Sequence, residues 1–275
     1  MTLAVRNTVV VVGAVLAALL VLLFGFTAYE TFVDFDDSLL PDTMSHTWII
    51  WNWDVERSDA NWSLVAAGVF GLAAAVALIV SARAFRRVSS PELYFFVIML
   101  IALSFEQVRM VQKYLLMLDL PQYVGMTVTR VIMVGRVMAT LSLFAASLYA
   151  VGIEYPRIGS ITVVLAVLAF LLVYFVPVDT VELDAVLIHR LGWQSSIELV
   201  LLCVSILTIG NYVIAGARGH RDRGALVAFS AVAVVLARDL LYFVPGLPWV
   251  ILSLVLMAYG ITTFIVITRE HFLWS

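Results

Sequence analysis

Residues 104–114 read SFEQVRMVQKY and sit inside an otherwise apolar run from Leu93 to Leu118. At about 1.5 Å per residue, a helix over that run can cross a bilayer core about 30 Å thick. Glu106, Arg109 and Lys113 are spaced three and four apart, so they share one helix face. Each would cost about 2.5–3.5 kcal/mol at the centre of a lone helix in lipid, so all three are expected to be paired or functional.

The surroundings of this stretch are those of a membrane protein. The chain has 275 residues, 63% hydrophobic and 13% charged, where a soluble domain carries about 25% charged residues. Windows of about 20 apolar residues predict an all-α integral membrane protein with eight transmembrane helices. They fall at about 8–28, 61–82, 92–118, 127–150, 160–178, 193–216, 225–244 and 248–268. The first is longer than a signal-peptide core and no small-x-small site closes it, so it reads as a retained helix. Arg83, Arg86, Arg87, Arg157, Arg218, Arg221 and Arg223 fall on one side of this scheme with Arg6 and Arg269, against Arg57 and Arg190 on the other. The positive-inside rule then places both termini in the cytoplasm and the chain in the cell membrane.

The segment 29–60 is the only long connection expected. It begins acidic, with Glu30, Asp34, Asp36, Asp37 and Asp42, and continues as HTWIIWNWD over 46–54. Its tryptophans suit an interfacial segment, either an anchor or a lid. Asn61-Trp62-Ser63 matches a glycosylation acceptor. Ser89 and Glu92 have capping-box spacing, and Pro91 fits a first helical turn.

Landmarks recur along the chain. Trp62 opens a helix that leaves the membrane through Arg83, Arg86 and Arg87; Trp193 opens one that leaves through Arg218, Arg221 and Arg223. Arg109 precedes Tyr114 and Leu120-Pro121, as Arg238 precedes Tyr242 and Leu247-Pro248. Two parallel four-helix repeats, 1–155 and 156–275, would produce this order.

Arg130 and Arg136 on the fourth helix, Glu198 on the sixth, and Arg238 and Asp239 on the seventh join Glu106, Arg109 and Lys113 in the outer half of the membrane. Five cations face three anions. If they converge, an excess of two positive charges invites an anion or water. Pairing of Glu106 with Arg136, both near mid-membrane, would account for two of them without a ligand, and Lys113 and Arg130 can snorkel to headgroups.

Several chemistries find no support in the pattern. Cys203 is the only cysteine and reads as a packing residue, with no internal disulfide or multi-cysteine metal site. The four histidines, His46, His189, His220 and His271, fall in loops or at ends, so a haem held by two intramembrane histidines is not expected. Lys113 is the only lysine available for a Schiff base, and no nucleophile elbow or phosphate loop is present. No cofactor is expected, and nothing in the short basic loops suggests nucleic-acid binding. The leading expectation is a transporter or sensing subunit, not an enzyme, with an outward-facing cavity for a small anion or anionic lipid headgroup. Arg109, Arg136 and Arg238 would contact the anion, Glu106, Glu198 and Asp239 would orient them, and any signal would pass to a partner protein. The alternatives are an intramembrane enzyme using a carboxylate on a lipid, and an assembly subunit whose charges only pair helices.

Overall fold

The computed structural model describes residues 3–34, 43–48, 51–85, 90–118, 120–153, 158–218, 221–244 and 246–274. Among them, seven helical stretches are long and apolar enough to cross a membrane: 7–33, 57–82, 91–117, 122–150, 194–217, 225–243 and 247–267. The chain is a multi-pass membrane protein. In order, its elements are α1 (Leu3–Asp34), β1 (Thr43–Trp48), β2 (Trp51–Glu56), α2 (Arg57–Phe85), α3 (Pro91–Leu103), α4 (Arg109–Met117), α5 (Gln122–Ala150), α6 (Ile158–Tyr174), β3 (Val178–Leu183), β4 (His189–Leu191), α7 (Gln194–Arg218), α8 (Arg221–Phe243) and α9 (Leu247–Trp274).

The third span is the axis of the bundle. In its most apolar window 83% of residues are buried, against 22% in the first span and in Gln194–Ala217. Leu93 to Leu100 are all buried, as befits a helix that is apolar on every face. Lipid tails are as apolar as leucine, so this helix is held by close packing. Phe96 stacks on Phe264 at 4.3 Å between ring centroids, and Tyr212 meets Phe264 edge-on. A Cβ on Gly260 would stand 2.8 Å from the Ser230 carbonyl oxygen, so glycine there lets α9 lie directly against α8.

The third span is not one α-helix. Ser104–Val108 is a 3-10 segment between α3 and α4. The Ser104 hydroxyl donates to the Ile101 carbonyl at 2.6 Å, a local bond that competes with the helical ladder. A 3-10 turn inside a helix marks a strained or hinge-like point, and here it carries Glu106. At the other end Ser90 is the N-cap, accepting from the Leu93 amide at 3.3 Å with Pro91 in the first turn. The cap is therefore one residue later than the expected Ser89, which lies outside the described residues.

Two of the described connections are β-hairpins. β1 pairs with β2 in antiparallel register, Met44 opposite Val55 and Trp48 opposite Trp51. The expected interfacial segment 46–54 thus takes in parts of both strands of a hairpin, and Trp48 stacks on Phe243 at 6.0 Å. The side chains of Trp51 and Trp53 lie outside the described residues. The second hairpin, β3–β4, was not anticipated: 160–178 was expected to be one helix, but α6 stops at Tyr174 and β3 starts just after Pro177, where proline withholds an N–H from any continuing helix. Its tip, Asp184 to His189, is buried throughout. Within the tip Leu187 has φ 56°, a left-handed conformation unfavourable for a branched residue. Its fully buried side chain, packed with Met44, Leu64 and Met110, holds it there.

Two further expectations are corrected. Asn61 is inside α2, and its side-chain oxygen accepts from Lys113 Nζ at 3.0 Å, so it is no glycosylation acceptor. Cys203 is exposed on the lipid-facing surface of α7 instead of packing inside.

Candidate functional site

The half of the bundle nearer the hairpins contains a continuous polar network, built from the 3-10 segment towards them. Glu106 is 1% exposed. Arg136 on α5 grips it with two bonds, Nε to Oε1 at 2.8 Å and Nη2 to Oε2 at 3.1 Å. This is the fork geometry that makes arginine a strong carboxylate partner, and it is the pair expected from depth alone. Arg109 shares the same carboxylate, with Nη1 3.4 Å from Oε2.

Arg109 also ties the network to the second hairpin. Its Nε donates to the Val186 carbonyl at 3.1 Å and its Nη2 to the Ser63 hydroxyl on α2 at 3.3 Å. The tip around Val186 is fixed from several sides. The His189 amide donates to Thr129 Oγ1 on α5 at 3.0 Å, and Gln112 of α4 meets His189 Nε2 at 3.1 Å. Gly125 makes room for that ring, since a Cβ there would stand 2.6 Å from His189 Nε2.

Asp184, at the start of the tip, joins the two hairpins. It accepts from the Ala185 amide at 2.7 Å and from Gln194 Nε2 at 3.1 Å. It meets His46 Nδ1 of β1 at 2.6 Å, while His46 Nε2 meets the Phe243 carbonyl at 2.7 Å. The imidazole therefore ties the Asp184 carboxylate to the backbone at the end of α8. Gln194 passes the chain on to Glu198 at 2.9 Å.

A second arginine site lies on α8. Arg238 donates to Asp239 Oδ1 from Nε at 2.9 Å and to Ser205 Oγ from Nη2 at 2.6 Å. Tyr242 joins the two sites, its ring 4.8 Å from the Arg136 guanidinium carbon and 6.0 Å from that of Arg238.

No family model matches the chain. No solved structure matches it either. It is 31% identical over 120 residues to an uncharacterized protein of Treponema pallidum (strain Nichols). The matched stretch is 44% of this chain and 35% of that relative, so the chain spans about a third of the relative's length.

Of the eight residues singled out from sequence, Glu106, Arg109 and Arg136 form one cluster, Arg238 and Asp239 a second, and Glu198 joins through Gln194 and Asp184. Lys113 bonds Asn61, and Arg130 lies over the Tyr174 ring at 5.5 Å. These last two stand apart from the centre. Sequence reasoning missed His46, Asp184, Ser63, Ser205 and Tyr242. The signal for Asp184 was its place between a Val-Asp-Thr-Val-Glu-Leu strand pattern and the apolar run Ala185 to Ile188. With Lys113 and Arg130 set apart and Asp184 included, Arg109, Arg136 and Arg238 face Glu106, Asp184, Glu198 and Asp239, and the positive excess that suggested an anion disappears. Two grooves open on the lipid-facing surface, about 500 Å³ beside α1 and α2 and about 300 Å³ beside α6 and α7. The three arginines line neither.

Proposed function

We propose that the chain crosses the membrane eight times, with both hairpins outside and both termini in the cytoplasm. Four helical segments separate the two hairpins: α2, the third span, α5 and α6. Because His46 and Asp184 meet at 2.6 Å, the hairpins share one face, which supports an even number of crossings and so makes α6 a span. Its 17 residues reach about 25 Å, at the short end of what suffices. The arginine distribution then selects the outer face. The two-repeat reading gains support from one order in both halves: helix, hairpin, then three spans. In each half an arginine of the third span bonds a serine of the second, Arg109 to Ser63 and Arg238 to Ser205.

On this topology the chain acts as a sensing subunit: what happens at the outer hairpins is passed to the interrupted third span and from there to a partner protein. One observation carries the reading. The buried hairpin tip bonds, through Val186, to the same Arg109 that shares Glu106 with Arg136 inside the 3-10 segment. A tip that shifts must change the partners of a charge buried inside the bundle, and such changes are large in free energy. A coupled element of this kind is what an outward-facing sensor needs. The anion-binding reading keeps a narrower basis. Among the described residues, Arg109 Nη1 and the Tyr242 hydroxyl are buried without a hydrogen-bond partner, which favours a small polar ligand or ordered water beside them.

Spin labels at Ala82→Cys and Ile153→Cys, in a Cys203→Ala background, report the inner ends of α2 and α5. Releasing the hairpin with Asp184→Asn is expected to shift the distance distribution between them. An unchanged distribution would overturn the sensing assignment.

A further inference from the structure

The groove of about 500 Å³ beside α1, α2 and α4 lies outside the charged network, and its lining changes character with depth. Thr31, Asn61 and Lys113 line it, and each lies about one turn inside the hairpin-side end of its span, which ends at Val33, Arg57 and Met117 respectively. Phe24, Val69 and Leu72 line its deeper part, about two to three turns further from the same surface. α1 and α2 therefore agree on one gradient, with their polar lining at headgroup depth and only apolar lining towards the membrane centre, and on α4 Lys113 lies above Met110. Val69 and Leu72 are 39% and 51% exposed, so the groove opens sideways to lipid instead of upward to water.

We propose that this groove holds one phospholipid of the hairpin-side leaflet, its anionic headgroup against Lys113 and Asn61 and one acyl chain lying inward past Val69 to Leu72. The solvent decides the occupant of the deep part, because hydrocarbon is the only material a bilayer can supply there. Charge decides the head. Lys113 is the chain's only lysine, it is 9% exposed, and its ammonium is fixed by Asn61 at 3.0 Å. A compact ammonium at headgroup depth on an apolar wall is complementary to a phosphate. The groove is formed by α1 and α2 packing on α4, so the lipid would brace the first helix, which is otherwise mostly exposed to the bilayer.

The full chain, purified in mild detergent, can be titrated with phosphatidylglycerol and with phosphatidylcholine and followed by native mass spectrometry. One phosphatidylglycerol per chain is expected to be retained in preference to phosphatidylcholine. Lys113→Gln should weaken phosphatidylglycerol by roughly tenfold, as loss of a charge-assisted contact does, and leave phosphatidylcholine nearly unchanged. Val69→Trp, which fills the deep part, should weaken both. Equal retention of the two lipids by the wild type, or phosphatidylglycerol retention untouched by either substitution, would overturn the proposal. Displacement of the lipid by millimolar inorganic phosphate would also overturn it, since a site for free phosphate does not need the apolar part.

Discussion

Glu106 is the carboxylate on which two guanidinium groups depend, so the two ends of its bridge to Arg136 should not be equivalent. Removing its charge with Glu106→Gln replaces the two charge-assisted bonds of Arg136 at 2.8 and 3.1 Å with at most one bond to a neutral carbonyl, and leaves Arg109 without the anion at 3.4 Å. Breaking a buried pair from one side costs about 3–5 kcal/mol, and here two cations lose their compensation, so the upper part of that range applies. Arg136→Met leaves Glu106 facing Arg109, so its cost should fall below about 3 kcal/mol. The double variant removes the unpaired acid and one cation together. It should be more stable than the sum of the singles predicts by about 1–3 kcal/mol, the coupling expected of side chains in one network. Reversible unfolding in mixed micelles, followed by circular dichroism, gives all three values. Additivity within about 0.5 kcal/mol, or a greater cost for Arg136→Met than for Glu106→Gln, would refute the reasoning.

Other expectations are narrower. Cysteines placed at Asp54 and Ile153 in a Cys203→Ala background should be labelled by an impermeant reagent from opposite faces; labelling from the same face would remove the eight-span scheme. Gly125→Ala should cost about 1–3 kcal/mol of stability, because its Cβ would meet His189 Nε2 at 2.6 Å, and His189→Ala should recover most of the loss. Tyr242→Phe should unfold within about 0.5 kcal/mol of the wild type, since the hydroxyl it removes has no hydrogen-bond partner among the described residues. Tyr242→Leu, which removes the ring between two guanidinium groups, should cost about 1–2 kcal/mol.

How much the sequence discloses differs with the kind of physics involved. The helical segments were legible because twenty apolar residues in a row seldom occur outside a membrane span, and seven of the eight expected spans recur as long apolar helices, with α6 shorter. The Glu106–Arg136 bridge was legible because in lipid an ionised group must find its opposite, and depth along two neighbouring helices leaves few candidates. The 3-10 interruption was not, since a single serine hydroxyl at position 104 is a common sight in membrane helices that remain α-helical. The two hairpins were lost for another reason. Their strands are short, and they fall in the stretches 29–60 and 179–192, which hydropathy leaves as connections between spans without showing that they fold back into the bundle. Losing the hairpins lost Asp184 and His46. The surplus of positive charge came from counting Lys113 and Arg130 with the centre, although Lys113 bonds Asn61 and Arg130 lies over the Tyr174 ring, and Asp184 adds an acid from a connection that folds back into the bundle.

The tip of the second hairpin and the 3-10 segment are expected to open and close as one unit. Hydrogen–deuterium exchange of the full chain in nanodiscs measures both at once, over residues 184–189 and 104–108. Asp184→Asn, which weakens the tie between the hairpins without touching the third span, is predicted to speed exchange in both stretches while α3 stays protected. Faster exchange confined to 184–189, with 104–108 as slow as in the wild type, would contradict the account.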